Sequence, residues 1–218
     1  ATIWGTSSSW TLTALPLFVW MGEILFRTKL SENLFKGLSP WMQKLPGGLI
    51  HVNVVGCALF AAISGSSAAT VATVGKMSIP ELRKRNYPEK ILLGSLAGSG
   101  TLGLLIPPSI ILIIYGVAVQ ESIAKLFIAG IIPGIMIALI FMSYVIIWSL
   151  INKKSMPKII EEYSFFEKIK RSKQLLPVII LILAVIGSIY TGIATATEAA
   201  SLGAVSYTHL TLPTKVEV

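Results

Sequence analysis

Four long stretches without a charged side chain constrain this chain more than any other feature. They are 31, 30, 27 and 24 residues long and cover 45–75, 91–120, 126–152 and 174–197. A helix needs about 20 apolar residues to cross a hydrocarbon core of roughly 30 Å. The whole chain has 13% charged residues, whereas soluble domains have about 25%. The sequence therefore predicts an all-α polytopic membrane protein.

The predicted elements occupy residues 1–205, which we treat as one membrane domain. Residues 30–46 place apolar side chains at helical spacing, which predicts an amphipathic helix in the plane of the membrane interface. The apolar segment 47–75 is interrupted near its middle by Ser64–Ser67. The predicted membrane spans are 10–26, 91–119, 126–151 and 175–194.

The distribution of Lys and Arg predicts how segment 47–75 lies in the membrane. If the segment crosses once, the two sides carry 5 and 12 cations; if it is a hairpin, they carry 16 and 1. Cytoplasmic loops collect Lys and Arg, so the hairpin gives the cleaner bias. One straight helix over the segment would also be about 44 Å long, longer than the hydrocarbon core is thick. We predict a re-entrant hairpin at 47–75 and cytoplasmic loops at 27–46, 76–90 and 152–174.

The net charge of +8 does not predict a nucleic-acid partner. Basic patches attract phosphate, but these cations lie in short loops between apolar spans, where the positive-inside rule places them. Cys57 is the only cysteine, which excludes an internal disulfide and a cysteine-based metal site. The partner that composition itself predicts is the lipid bilayer.

Two interruptions of the apolar segments are rich in Gly, Ser and Thr. The first, Ser64–Ser67, offers hydroxyl oxygens, with Thr70 one turn further on, and Gly65 permits a sharp turn. The second covers 98–108, where Pro107 and Pro108 remove backbone donors and free carbonyls upstream. Non-helical backbone at membrane depth is tolerated only where protein, water or a bound group satisfies it.

Together the interruptions predict a site for an ion and a solute. Hydroxyl and carbonyl oxygens are hard ligands that suit Na⁺, and the helix N-terminus near Ala68 would direct a positive dipole at an anionic solute. Each interruption alone has a structural explanation, because Gly94 and Gly98 could serve helix packing and a proline pair can simply kink a span. Two discontinuous helices in consecutive segments favour a secondary-transport site.

At these residues the chain resembles a known family, the large membrane subunit of TRAP (tripartite ATP-independent periplasmic) transporters of the DctM type. The resemblance runs over about 10–205. The strings that carry it are PLFVWMGEIL (16–25), LFAAISGSSAATVATVG (59–75), GTLGLLIPPSIILIIYG (100–116), LFIAGIIPG (126–134) and YTGIATATEAASLGA (190–204).

The resemblance implies an ion-transporter-superfamily fold of two inverted repeats that move as an elevator, of which this chain holds the first. It also implies Na⁺-driven uptake of organic acids, such as C4-dicarboxylates or sialic acid, across the bacterial inner membrane. The implied partners are a periplasmic solute-binding protein and a small four-helix membrane subunit. No enzyme activity and no cofactor beyond Na⁺ as coupling ion are expected.

The resemblance also assigns site residues, with the hairpin tip at Ser64–Ser67 and an unwound stretch at Gly100–Ser109. The residues implied to hold one Na⁺ are Ser64, Gly65, Ser66, Ser67, Gly100, Thr101 and Gly103. Those implied to flank the solute are Ser67, Thr70, Pro107, Pro108 and Ser109. No catalytic residue is implied.

Two features near the end of the chain depart from the family pattern. The family usually has Thr-Pro-Thr-Glu where this chain has Thr195-Ala-Thr-Glu198, which leaves any role of Thr195 or Thr197 open. Residues 206–218 lack helical periodicity and are predicted to be a non-native tail, so His209 is set aside. The front, which begins at Ala1 without a signal-peptide pattern, is expected to be truncated.

Three other functions are compatible with parts of the sequence. A Na⁺/dicarboxylate symporter that needs no binding protein would share the broken helices, and a passive channel or structural subunit would share the apolar spans. An intramembrane serine hydrolase would use the Ser-Gly-Ser-Ser turn, but it needs a base near the serine. His51 is 13 residues before Ser64, about 19 Å along a helix.

Overall fold

The computed structural model describes residues 10–27, 30–157 and 163–211, and within them all regular structure is helical. The α-helices are α1 (Ala14–Arg27), α2 (Leu30–Met42), α3 (Ile50–Ser64), α4 (Ser67–Lys84), α5 (Glu89–Gly100), α6 (Ile110–Val119), α7 (Ile123–Ile151), α8 (Phe165–Ser172), α9 (Leu176–Tyr190) and α10 (Ala196–Thr211). Short 3₁₀ turns lie at Trp10–Thr13, Thr101–Leu104, Lys153–Ser155 and Lys173–Leu175.

Helix α3 forms the centre of the fold. It packs against α1, α2, α4, α5 and α7, and its Phe60 and Cys57 side chains are fully buried. Because it is covered on all sides, it is apolar all round rather than on one stripe. The remaining helices are arranged around it and fix the position of its C-terminal end.

Helices α3 and α4 pack side by side as a hairpin that turns at Gly65 and Ser66. Gly56 on α3 lies opposite Val74 and Met77 on α4, whose side chains reach within 4 Å of the place where a Gly56 Cβ would be. The predicted turn is therefore present. That the hairpin is re-entrant, and the side of the membrane on which it enters and leaves, stay predictions.

The second predicted interruption is also present, and it begins slightly later than the sequence indicates. Helix α5 continues to Gly100, a 3₁₀ turn covers Thr101–Leu104, and α6 begins at Ile110. The segment 91–119 is therefore two helices separated by residues 101–109. The glycines at 98–100 are accommodated as helix because they pack closely: a Cβ on Gly98 would lie 3.1 Å from Phe141.

Two continuous helical stretches among the described residues are long and apolar enough to cross a membrane, Ile123–Ile151 and Phe165–Tyr190. In their most apolar windows 17% and 28% of the residues are buried. Isoleucines such as Ile132 and Ile151, both 76% exposed, point outward. Such apolar outer faces are expected where lipid or further membrane helices cover the protein.

Several predicted boundaries shift. The predicted interfacial helix 30–46 ends at Met42 as α2 and is followed by turns. Helix α10 continues to Thr211, although residues 206–218 lack helical periodicity in the sequence. Helix α10 packs closely on α1, and a Cβ on Gly203 would lie 2.6 Å from the Met21 sulfur. Residues 212–218 lie outside the described part, and the origin of 206–218 stays a prediction.

Candidate functional site: the hairpin tip and the unwound segment

The hairpin tip is a tight turn built on one glycine and one serine. Gly65 ends α3 with φ +60°, a left-handed conformation that favours glycine. Its N–H donates to the carbonyl of Ala61 at 3.1 Å. Ser66 is extended and caps α4, with its hydroxyl oxygen accepting from Ala69 N–H at 3.4 Å. These two residues reverse the chain within two positions.

Oxygen atoms converge on the inner side of this turn. The hydroxyls of Ser64 and Thr70 lie 2.9 Å apart, and the Thr70 hydroxyl donates to the Ser66 carbonyl at 2.7 Å. The Ser64 hydroxyl lies 3.2 Å from the same carbonyl. Ser64 and Thr70 are both fully buried. The result is a compact group of three oxygens held by the turn itself.

The unwound segment folds back on itself before α6 begins. Ile106 N–H donates to the carbonyl of Leu102 at 2.8 Å, and the buried Ser109 hydroxyl donates to that of Leu104 at 2.7 Å. Both prolines of the segment are buried. Buried backbone groups that leave the helical ladder need such partners.

The hairpin tip and the unwound segment contact each other directly. Ile110 N–H, the first of α6, donates to the carbonyl of Gly65 at 3.2 Å. A Cβ on Gly65 would lie 2.8 Å from the carbonyl oxygen of Pro108, and one on Gly103 would lie 2.8 Å from Ser67 N. Only glycine permits these backbone approaches. We call this contact the tip junction.

The predicted site residues fall into two groups. Those at the tip junction or its inner oxygen cluster are Ser64, Gly65, Ser66, Ser67, Thr70, Gly103, Pro108 and Ser109. Gly100 is nearby but packs on the Val71 side chain, and the buried Pro107 packs toward α7, where its Cγ would lie 3.5 Å from a Cβ on Gly130. Thr101 is exposed, and its hydroxyl donates to Gly98 within its own helix at 2.7 Å. Its oxygen is therefore engaged away from the hairpin turn.

Three glycines that hold the tip junction were not predicted as functional. On α7, a Cβ on Gly130 would lie 2.8 Å from the Leu105 carbonyl oxygen, and one on Gly134 would lie 2.8 Å from the Ile106 side chain. On α1, a Cβ on Gly22 would lie 3.1 Å from the Ser64 Cβ. The Gly-xxx-Gly spacing within LFIAGIIPG was the available signal, since it allows close backbone approach.

The oxygen cluster fits a small hard cation in the kind of donor it offers. Hydroxyl and carbonyl oxygens bind hard cations, and the Ser64, Ser66 and Thr70 oxygens lie within 3.2 Å of one another. The described residues contain no group of three or more His, Cys, Asp or Glu side chains suited to a transition metal. Hydroxyl and carbonyl oxygens are the kind of donor that suits an alkali cation, and in the structure these three oxygens are hydrogen-bonded to one another.

The structure places His51 at the opposite end of α3 from the serines of the hairpin turn. His51 lies in the first turn of α3, where its Nε2 is 2.8 Å from the Pro46 carbonyl oxygen. Ser64 ends the same helix, about 20 Å away along the helix axis. His51 is therefore far from the serines of the turn.

These features define a class: a helical membrane protein in which a helical hairpin meets a discontinuous helix. Comparison with known proteins identifies the family. Residues 1–216 match the family model of the tripartite ATP-independent periplasmic transporter, DctM component. The chain belongs to this family of TRAP transporter large permeases.

Characterised relatives have the same family name and differ in substrate. The chain is 37% identical to the C4-dicarboxylate TRAP transporter large permease DctM of Pseudomonas aeruginosa, over 92% of this chain and 46% of that protein. It is 34% identical to the sialic acid large permease SiaM of Vibrio cholerae, over 98% of this chain and 51% of that protein. It is also 34% identical to the ectoine/5-hydroxyectoine large permease UehC of Ruegeria pomeroyi, over 87% of this chain and 44% of that protein. The chain thus spans about half the length of these relatives.

Proposed function

We propose that the protein to which this chain belongs is the membrane permease of a Na⁺-coupled secondary transporter for organic acids, and that the tip junction is half of its transport site. The observation that supports this most is the hydrogen bond between Gly65 and Ile110, which joins the hairpin turn to the unwound segment. Discontinuous helices that meet in this way are the usual setting of ion and solute sites in secondary transporters.

The polarity of the two returning helices supports an anionic solute. Helices α4 and α6 both begin at the tip junction, after the extended residues Ser66 and Ser109. A helix N-terminus carries a partial positive charge and unpaired N–H groups. Two such termini at one place would stabilise a carboxylate, and Ser67, Thr70 and the proline pair would flank it.

The oxygen cluster, formed by the hydroxyls of Ser64 and Thr70 and the backbone carbonyl of Ser66, supports a coupling ion. When bound, Na⁺ would supply positive charge at this point and so favour an anionic solute beside it. The protein's part is to hold the oxygens in place through the left-handed turn at Gly65 and the close approach of Gly103. Gly100 and Thr101 belong to the proposed ion site through family resemblance.

The rest of the transporter lies beyond this chain. We propose that a second, inverted repeat completes the site, that the two repeats operate as an elevator, and that a periplasmic binding protein and a small four-helix subunit are partners. The relatives transport C4-dicarboxylates, sialic acid or ectoines by name, so an organic acid is the substrate class that we propose. The inner membrane is the proposed location, with loops 27–46, 76–90 and 152–174 cytoplasmic.

Na⁺-dependent uptake tests the proposal in the intact parent protein. We expect Ser66→Ala, which removes the hydroxyl that caps α4 at the hairpin turn, and Pro107→Ala, which loosens the unwound segment, to weaken the Na⁺ dependence of uptake while membrane insertion is retained. Ser143→Ala on α7 is the matched control, because its exposed hydroxyl only donates to Leu139 in its own helix. An unchanged Na⁺ response in both site variants would refute the site assignment.

Dependence on an added binding protein separates the proposed transporter from a symporter of the same architecture. A TRAP permease reconstituted in vesicles should take up solute only when a cognate solute-binding protein is present. Na⁺-driven uptake without it would favour the Na⁺/dicarboxylate symporter. Solute flux with no Na⁺ dependence would favour a channel.

A further inference from the structure

A cavity of about 760 Å³ lies at the end of the hairpin farthest from the tip junction. It opens between α2, the C-terminal half of α4, and α8, about 20 Å along α4 from the hairpin turn. Its ionisable or polar lining residues are Lys36, Ser39, Lys76, Glu81, Arg85, Tyr163, Glu167 and Arg171. We call it the basic cavity.

Among the residues that the structure describes, cations outnumber carboxylates in the lining of the basic cavity. Four of these side chains are cationic and two are acidic. Each carboxylate has a partner: Glu167 accepts from Ser164 N–H at 3.0 Å and caps α8, and Glu81 lies 3.8 Å from Arg85. Lys36, Lys76 and Arg85 each make at least one further interaction. A bound anion would therefore join an existing polar network with net positive charge.

Helix α8 has an apolar face next to this cavity. Its residues Glu167 and Arg171 line the cavity, while Phe165, Phe166 and Ile169 are 70%, 76% and 43% exposed. Two phenylalanines exposed to this degree on a two-turn helix are unfavourable in water, because their apolar surface is not buried. The helix is amphipathic in the manner of segments that lie at a membrane surface.

A tryptophan fixes this helix beside the cavity. Trp41 on α2 donates through Nε1 to the Ser172 hydroxyl at 2.7 Å and meets the Phe165 ring edge-on, with centroids 6.4 Å apart. The Lys168 ammonium lies 5.5 Å from the Trp41 ring centroid. Tryptophan and lysine side chains are both enriched at the headgroup level of bilayers. The cavity is therefore expected at headgroup depth.

We propose that the basic cavity binds the phosphate headgroup of an anionic phospholipid, whose acyl chains lie over Phe165 and Phe166. A net-positive cavity beside an exposed apolar face matches an amphiphile with a negative head, and basic pockets between membrane helices bind such headgroups. The site rests on the proposed membrane topology and is independent of Na⁺ coupling. Lipid bound there would attach the C-terminal end of α4 to the membrane surface.

Lipid binding to the intact permease in detergent tests this proposal. Dioleoyl phosphatidylglycerol should raise the thermal unfolding midpoint and remain bound in native mass spectra, whereas dioleoyl phosphatidylcholine should do neither. Lys36→Gln combined with Arg171→Gln should weaken phosphatidylglycerol binding roughly 25-fold, about fivefold for each cation removed. Lys153→Gln combined with Lys154→Gln removes two exposed cations elsewhere and should leave binding unchanged.

A third variant and a soluble competitor keep the test decisive. Arg171→Lys preserves the charge and should retain most of the binding, and a lipid-free unfolding midpoint of the double variant close to that of the wild type shows that its loss of binding is not a loss of fold. Equal phosphatidylglycerol retention by wild type and the Lys36/Arg171 double variant would overturn the proposal. Displacement by millimolar inorganic phosphate, with no preference for the lipid, would identify a free-phosphate site and also overturn it.

Discussion

The backbone N–H of Ile110 donates to the carbonyl of Gly65 at 3.2 Å, although the two residues are 45 positions apart. This bond joins the turn of the α3–α4 hairpin to the first residue of α6. It pairs the carbonyl of Gly65, a turn residue in the left-handed conformation, with the first N–H of a helix. Both groups would otherwise be exposed by the two interruptions.

Replacing Gly65 with alanine should damage the tip junction. The residue has φ +60°, and a Cβ would lie 2.8 Å from the Pro108 carbonyl oxygen. The left-handed conformation alone costs alanine about 1 kcal/mol, and the clash requires the unwound segment to move. We expect Gly65→Ala to abolish Na⁺-dependent uptake in the intact protein.

Gly56→Ala is the matched control for that substitution. It is also a buried glycine of α3, but its Cβ would meet Val74 at 3.6 Å, an ordinary contact. Uptake should persist in this variant, and both proteins should be present in the membrane by immunoblot. Normal uptake by Gly65→Ala would contradict the role that we give to the junction.

The glycines of α7 should affect Na⁺ affinity in a graded way. A Cβ on Gly130 would press on the backbone oxygen of Leu105, which cannot rotate away. A Cβ on Gly134 would meet a side-chain carbon of Ile106, and that side chain can rotate away. We expect the half-saturating Na⁺ concentration for uptake to rise most in Gly130→Ala, less in Gly134→Ala and least in Gly56→Ala. The reverse order of half-saturating concentrations would contradict this prediction.

Cysteine labelling should decide the topology of the hairpin. Lys44 precedes the hairpin and Lys84 ends it, and both are exposed. In a parent without other cysteines, single cysteines at 44 and 84 should react with a membrane-impermeant maleimide only from the cytoplasmic side. Gln120→Cys, in the exposed turn between α6 and α7, should react from the opposite side. Labelling of 44 and 84 from opposite sides would show a single crossing.

The cap of α10 should contribute to stability rather than to transport. Thr195 and Glu198 form reciprocal hydrogen bonds, with Thr195 N–H donating to the carboxylate at 2.8 Å and Glu198 N–H reaching the Thr195 hydroxyl at 3.3 Å. We expect Thr195→Ala to lower the thermal unfolding midpoint, at a typical cost of about 1 kcal/mol for a lost cap.

Thr191→Ala is the control for the cap, because that exposed hydroxyl only donates to carbonyls of its own helix. It should leave the unfolding midpoint nearly unchanged. A fall in Na⁺ dependence in Thr195→Ala, without a fall in stability, would instead give Thr195 a part in coupling.

The positions of the two chain interruptions were predictable because they depend on local chemistry. Gly65 between serines, and Pro107 with Pro108, prevent a regular helix wherever they occur. The same holds for the Thr195–Glu198 cap, which has its signature spacing. Thr101 shows the limit of this reasoning, because its hydroxyl is satisfied by Gly98 at 2.7 Å and is directed to its own helix.

Composition and the placement of proline and glycine are enough to predict an apolar bundle of helices with two breaks, since both act within a few residues. That the breaks meet is seen only in the fold, where Gly103, Gly130 and Gly134 allow close approach. The packing of α10 on α1 and its continuation to Thr211 are likewise seen only in the fold. These outcomes depend on packing between distant segments, which local periodicity does not encode.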